Sequence, residues 1–247
     1  MSTRPDAVVV DALDPAGLAR FWSAALDWPV TYSDDDEVVV EFSDEGGCWG
    51  DIGTVALVFG HTTEPKQGKN RVHLDLASSS LPDQAATVEK LLDLGGSRVD
   101  LGQGDVPWQV LADPEGNELC VLEPREMYAG GPRVAAVVLD CADPAALAGF
   151  WQAATGWPVA HAEDGFVSLR HPELAATALE LVRSPDAKTV KDRLHVDVAP
   201  FRGDDQAAEV ERLVAAGARP VDIGQRDVSW VVLADPDGHE LCVLTPR

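Results

Sequence analysis

Four short strings pair residue types that do chemistry. His73-x-Asp75 and His195-x-Asp197 set an imidazole two positions before a carboxylate, while Glu118-x-Cys120 and Glu240-x-Cys242 set a carboxylate two positions before a thiol. Two is the side-chain period of a β-strand, so in strands each pair faces one side of a sheet. An imidazole among carboxylates in a partly dry pocket is a general acid or base whose basicity the acids tune. On the same face of the first strand of each half, Asp11 falls in line with Ala7 and Asp140 with Ala136. His195, Asp197, Glu240 and Asp140 are therefore the catalytic candidates, His195 first. Asp11, His73, Asp75, Glu118, Cys120 and Cys242 are candidate pocket-lining residues. Trp108 and Trp230 are placed either to stack on a planar or cationic group or to pack in the core. The alternation alone also describes an antiparallel sheet with one wet face.

The elements that must position these residues occur twice. VVVDALDPAGLARFWSAALDWPV (residues 8–30) returns as VVLDCADPAALAGFWQAATGWPV (137–159), KNRVHLDLA (69–77) as KDRLHVDVA (191–199), and PWQVLADPEGNELCVLEPR (107–125) as SWVVLADPDGHELCVLTPR (229–247). The offset is 129 for Trp22 and Trp151 but 122 for His73 and His195, so the unit is one domain long and not a short solenoid repeat. The repeats predict an N-terminal domain over 1–125, a linker over 126–133 and a C-terminal domain over 134–247. In each copy a β-branched run ends at Asp-Pro, where Asp caps a helix and Pro occupies its first turn. Leu18, Phe21, Trp22 and Ala25, like Leu147, Phe150, Trp151 and Ala154, then share one helical face and belong to the core. Short strand-like runs follow at 38–42, 54–59, 166–170 and 176–182. A second strand–helix–strand–strand series uses 71–76 (193–198) and helices closed by Gly95 and Gly217. In its final hairpin, the turn Asp113-Pro-Glu-Gly116 returns as Asp235-Pro-Asp-Gly238. Each copy thus reads as two β-α-β-β-β modules, an α+β fold.

Composition excludes some partners. The formal net charge is −23 over 247 residues, which repels phosphate backbones and anionic bilayers, so neither nucleic acid nor membrane is an expected partner. The N-terminal stretch has no basic segment leading into a long apolar one, and no apolar run is long enough to span a bilayer; a cytoplasmic protein is expected. Cys48, Cys120, Cys141 and Cys242 are too few for a disulfide framework, and Cys120 and Cys242 are equivalent positions, which predicts reduced thiols. His61, His161, His171 and His239 fall in or near predicted turns and are expected to be solvated. Cys141 should point to the helix-packed face. Gly46 to Gly50, found only in the first copy, reads as a lid or an ordinary loop.

Taken together, the strand, the Asp-Pro helix carrying Phe-Trp, the His-x-Asp string and Leu-Ala-Asp-Pro-x-Gly-x-Glu-Leu-Cys-Val-Leu resemble the glyoxalase-like branch of the vicinal oxygen chelate superfamily, in both halves. The resemblance implies paired modules whose sheets form a cup around a small molecule, often with a divalent metal. It spans isomerases, lyases, dioxygenases and antibiotic-binding proteins, so it does not settle the chemistry. Relatives place metal ligands at four positions, which fall here on Ala7 and Ala136, on Val58 and Glu180, on His73 and His195, and on Cys120 and Cys242. Alanine cannot ligate, so no metal is favoured. If one is bound, it is zinc, iron or manganese held by Glu180, His195 and Cys242 in the C-terminal half. Relatives also place an arginine near the Asp11 and Asp140 positions; the reversed sign predicts a neutral or cationic ligand. Two functions stay open. One is an enzyme of the lyase, isomerase or cyclase type; the other is a bleomycin-resistance-like protein that sequesters a small molecule. Because single-copy relatives commonly dimerise, a fused pair implies a monomeric pseudo-dimer or a homodimer.

Overall fold

The computed structural model describes residues 3–43 and 47–247. The first module of the first repeat runs β1 (Thr3–Ala12), α1 (Pro15–Leu26), β2 (Val30–Ser33), β3 (Glu37–Val40), α2 (Trp49–Ile52) and β4 (Ala56–His61). Its second module is β5 (Val72–Leu76), α3 (Leu81–Asp93), β6 (Ser97–Arg98), β7 (Gln109–Ala112) and β8 (Glu118–Val121). After a 3-10 turn at Glu126–Tyr128, the second repeat gives β9 (Val134–Cys141), α4 (Pro144–Thr155), β10 (Val159–Glu163), β11 (Phe166–Leu169) and β12 (Ala178–Arg183). It closes with β13 (Leu194–Pro200), α5 (Gln206–Ala215), β14 (Arg219–Pro220), β15 (Val231–Ala234) and β16 (Glu240–Val243).

The strands form two eight-stranded mixed sheets, and each takes one module from each repeat. One has the order β14-β15-β16-β13-β1-β4-β3-β2, the other β10-β11-β12-β9-β5-β8-β7-β6. The junctions are antiparallel: β1 pairs with β13, setting Val9 opposite His195 and Ala7 opposite Asp197, and β9 pairs with β5, setting Val138 opposite His73 and Ala136 opposite Asp75. A single chain therefore supplies both halves of both sheets.

Strand alternation sends Val8 and Val10, Leu74 and Leu76, and Val196 and Val198 to one side, where they join α1, α3, α4 and α5 in one apolar core shared by both sheets. Cys141 lies in that core, as alternation predicts. The opposite faces are the cups. Helices α1 and α4 start as the Asp-Pro strings predict, with Asp14 accepting from the Gly17 amide and Asp143 from the amides of Ala145 and Ala146. Gly95 and Gly217 follow α3 and α5 with φ of 106° and 115°, a left-handed backbone that glycine adopts without steric cost. Asp143→Ala is expected to lower folding stability by about 1 kcal/mol. Urea titration checks this against Asp143→Asn, which keeps the acceptor; matching midpoints would mean that the cap contributes nothing.

The helices also lock each repeat to its own hairpin turn. Trp22 Nε1 donates to Asp113 Oδ2 (3.3 Å) and Trp151 Nε1 to Asp235 Oδ2 (3.0 Å), so the Asp of each Asp-Pro-x-Gly turn anchors a core tryptophan. One histidine departs from expectation. His239 is buried, because the turn that carries it tucks under β9, and its ring bonds Asp192 and the Asp140 carbonyl. The segment unique to the first repeat, of which Gly46 lies outside the described residues, is bolted down rather than free. Trp49 is fully buried, donates to the Thr177 carbonyl at 3.0 Å and stacks edge-on against Trp157 at 5.2 Å.

Candidate functional site

The cup of the β1–β13 sheet opens into a cleft of about 1000 Å³. Its floor is laid by alternate residues of three neighbouring strands: Ala7, Val9 and Asp11 on β1, Ala56, Val58 and Gly60 on β4, and His195 and Asp197 on β13. Cys242 on β16 lies beside Asp197 in parallel register, and Leu244 and Trp230 continue the wall. Trp230 is 41% exposed, an indole face on the wall.

His195, Asp197 and Cys242 converge at this floor, and all three are buried. His195 Nε2 lies 3.4 Å from Asp197 Oδ1 and 3.4 Å from Cys242 Sγ. Burial, with Asp197 beside it, pushes the Cys242 thiol far above its usual range. His195 Nδ1 and Asp197 Oδ1 are buried without a hydrogen-bond partner among the described residues, and an unmet buried polar atom costs about 1–3 kcal/mol. The cluster thus carries polar capacity that the protein itself leaves unused.

The rim is acidic. Among the described residues, eight carboxylates line the cleft, on Asp6, Asp11, Asp36, Glu37, Glu41, Asp51, Glu64 and Asp197, against three cations on Arg4, Lys191 and Arg247. The cations are engaged: Arg4 with Asp51, Arg247 with Asp6, and Lys191 with Asp11. Cys48 donates to Asp6 Oδ1 at 2.8 Å and its thiol is pushed up to about 12, by burial first and then by Asp6. Apart from Asp11 and Asp197, these lining residues carry no motif. Only the position of Cys48 in the unpaired segment set it apart in the sequence.

Module exchange between the repeats corrects the grouping expected of the acids. Asp140 lies in the other sheet, 2.5 Å from Lys69, because β9 joins β5; Asp11 is the aspartate that shares the cleft with His195. Glu240 is held by Lys188 (2.5 Å) and by the Asp192 amide (3.0 Å), and Glu118 by Lys66 (2.8 Å) and the Asn70 amide (3.1 Å). Both pin loops. Glu180 likewise cannot join His195 and Cys242, since β12 belongs to the sheet that holds His73 and Cys120.

The second cup repeats the cluster with His73, Asp75 and Cys120; His73 Nε2 lies 3.5 Å from Asp75 Oδ1. Burial opposes charge on His73, but the bonds to Asp75 and Cys120 outweigh it and raise its pKa well above the usual imidazole value. The inter-repeat linker lies along this cup, a feature without a sequence signal, and His73 and Cys120 stay part-exposed. Tyr128 clusters with Leu122 and Ala135, and Trp108 and Cys120 pack against that cluster; Leu122, Trp108 and Cys120 are the counterparts of Leu244, Trp230 and Cys242 in the open cleft. Its hydroxyl donates to Glu180, 3.0 Å from both carboxylate oxygens, and Arg170 stacks over its ring at 4.9 Å. Trp108 is thereby a packing residue, with Arg125 5.7 Å above its ring.

The donors suit a zinc-like ion in type, since zinc accepts imidazole nitrogen, carboxylate oxygen and thiolate sulfur. The unpartnered Asp197 oxygen is one further acceptor than hydrogen bonding requires. The residues present therefore fit such an ion, though at positions that only partly coincide with those of metal-bearing relatives.

A family model described as a glyoxalase-like domain matches residues 7–122 and again 136–244. Among solved structures, glyoxalase I from Zea mays aligns over 99% of this chain and 92% of its own at 14% identity, with a TM-score of 0.67. A putative dioxygenase from Bacillus subtilis subsp. subtilis str. 168 aligns over 100% and 86% at 15% identity, with a TM-score of 0.64. A search of curated proteins gives no match. At such identities the likeness establishes the fold and leaves the chemistry to the residues of the cleft.

Proposed function

Since the chain belongs to the glyoxalase-like domain family, as a tandem pair, we propose that it binds a small neutral or cationic organic molecule in the open cleft and acts on it by acid–base chemistry at His195. One observation carries this reading: the open cleft combines an imidazole at its floor with a lining of eight described carboxylates against three engaged cations. That field repels an anion and raises the local concentration of a cation. The apolar floor of Val9, Val39 and Val58 suits the carbon skeleton, and Trp230 offers a face for a planar or cationic group. His195 takes or returns the proton and Asp197 stabilises the imidazolium that forms. Where a divalent ion is held instead, His195, Asp197 and Cys242 supply its donors, and the ion would polarise a substrate oxygen as a Lewis acid.

The second reading is sequestration without turnover. It is favoured by the half-exposed Trp230 on the cleft wall, an indole face on which a ligand can stack without any reactive group. A cytoplasmic protein that acts as a monomeric pseudo-dimer or a homodimer accords with both readings; one chain completes both sheets, and no described helix is long and apolar enough to cross a membrane.

Thermal-shift measurements on matched neutral, cationic and anionic compounds are expected to show stabilisation by the first two. Preferential stabilisation by anions would reject the charge argument. For a compound that is turned over, His195→Gln is expected to lower kcat about a hundredfold while Kd changes little. Equal loss of both, or a bound compound recovered unchanged from the wild type, would favour sequestration.

A further inference from the structure

The excess of acids over bases reverses in one place. Two equivalent loops, 64–71 and 186–193, lead into β5 and β13 and together line a pocket of about 360 Å³. Among the described residues it shares only Asp11, Glu64 and Lys191 with the lining of the cleft. Each loop brings three cations at matching positions: Lys66, Lys69 and Arg71 from the first repeat, Lys188, Lys191 and Arg193 from the second. The lining thus sets six cations against four carboxylates, where the whole chain has 19 against 42. A concave lining of that sign concentrates anions.

Each of the six cations already meets an oxygen, so what the pocket offers a ligand is unused N–H groups. An ammonium has three donors. Lys69 gives one to Asp140 Oδ2 at 2.5 Å, and Lys191 gives one to Asp11 and a long one to the Asp192 carbonyl at 3.4 Å. These two are the most exposed of the six side chains. Arg193 is 8% exposed, and its terminal nitrogens go to the Glu64 carbonyl (2.5 Å) and Glu115 (2.7 Å). Its Nε is buried and has no acceptor among the described residues. The equivalent Nε of Arg71 does find one, the Asp140 carbonyl at 3.1 Å. The orphaned donor is therefore not imposed by the strand start that both repeats share, and it costs free energy until an acceptor arrives. We propose that this pocket binds a compact oxyanion carrying two negative charges, held between Lys69 and Lys191 with Arg193 as a further donor. Two charges match because each repeat contributes one exposed ammonium, and a monoanion would leave one of them unmatched. The site is distinct from the cup chemistry, since His195, Asp197 and Cys242 do not line it.

Calorimetric titration with inorganic phosphate tests the site without reference to turnover, at fixed ionic strength and at about pH 8, where phosphate is a dianion. Saturation at one phosphate per chain is expected, with acetate weaker by roughly tenfold or more. Lys69→Gln is expected to weaken phosphate binding roughly tenfold or more, and Lys69→Arg, which keeps the charge, to hold it within about threefold. Thr189 is exposed on the pocket lining, so Thr189→Glu adds a carboxylate there without removing any of the six cations, and is expected to abolish binding. Arg226→Gln, an exposed cation away from the pocket, should leave it unchanged. Heats that do not saturate, acetate binding as tightly as phosphate, or native phosphate affinity in folded Lys69→Gln or Thr189→Glu would each overturn the proposal. Lys69 and Thr189 line this pocket and not the cleft. In Thr189→Glu the comparison of neutral, cationic and anionic compounds therefore reports on the cleft alone, and its outcome leaves the phosphate titration untouched.

Discussion

Asp192→Ala is expected to cost about 3–5 kcal/mol of folding stability, the size of effect seen when one partner of a buried ion pair is removed. His239 Nδ1 lies 2.7 Å from Asp192 Oδ2 and its Nε2 lies 3.0 Å from the Asp140 carbonyl oxygen. A carbonyl only accepts, so Nε2 carries a proton; the carboxylate claims the proton on Nδ1, and the ring is an imidazolium with 1% of its surface exposed. Burial works against that charge, but the bond to Asp192 and the fields of Asp235 and Asp192 outweigh it and raise the His239 pKa. Burial also opposes charge on Asp192, and there His239 and Lys188 prevail and lower its pKa. A raised imidazole stabilises the fold fully below its unfolded value near 6.5 and loses that contribution as pH climbs through the folded value. A lowered carboxylate stabilises above its unfolded value near 3.8 and loses its contribution as pH falls through the folded one. Stability from this pair should therefore plateau between those unfolded values and decline on either side.

The other repeat supplies the control. Its equivalents are Asn70 and Asn117, joined by a neutral bond of 3.1 Å from Asn70 Nδ2 to Asn117 Oδ1. Asp192→Asn combined with His239→Asn is therefore expected to recover most of the loss and to flatten the alkaline decline. Urea denaturation across pH measures both. A single variant within about 1 kcal/mol of wild type would contradict a buried charged pair.

Trp151→Ala carries the second large effect, about 3–5 kcal/mol. The indole is fully buried beneath the shared core and its Nε1 is the donor to Asp235 Oδ2. Asp235 Oδ1 meanwhile holds the amides of Asp237 and His239, so the same carboxylate shapes the turn that positions the ion pair. The informative variant is Trp151→Phe, which keeps most of the volume and strands Asp235 Oδ2. Its counterpart Trp22→Phe should be milder by about 1 kcal/mol, because Asn117 Nδ2 also donates to Asp113 Oδ2 at 2.9 Å. Equal losses in the two variants would show that ring volume alone matters.

Much of the local structure was legible because the forces that set it act over short sequence distances. The Asp14 and Asp143 caps, the stops at Gly95 and Gly217, and the alternation that turns Leu74 inward and His73 outward depend on neighbouring residues and strand parity. The wet and dry faces of β5 and β13 could thus be assigned without knowing their partners. Failures occurred where a long-range contact decided the outcome. His239 looked like a turn residue, and tertiary packing placed it beneath β9. Glu118 and Glu240 lie in strands where period two sets them in line with the thiols, yet each is spent on a lysine and a backbone amide from a distant loop. Tyr128, whose hydroxyl reaches Glu180 beside the second cup, lies in a linker that the sequence marks only as a turn.

By itself the sequence determined the inventory: two copies of two β-α-β-β-β modules, the face on which each histidine, acid and thiol stands, and the acidic surface charge. Those follow from repeat identity, strand period and composition, none of which needs a partner strand. Only the tertiary structure decided which modules meet. Pairing β1 with β13 and β9 with β5 makes each cup from both repeats, so His195 shares its cleft with Asp11 and not with Asp140, and Glu180 faces Tyr128 rather than His195. The repeats are nearly interchangeable in sequence, so pairing within a repeat and pairing across repeats satisfy the same alternation; only the three-dimensional closure of one shared core over both sheets distinguishes them.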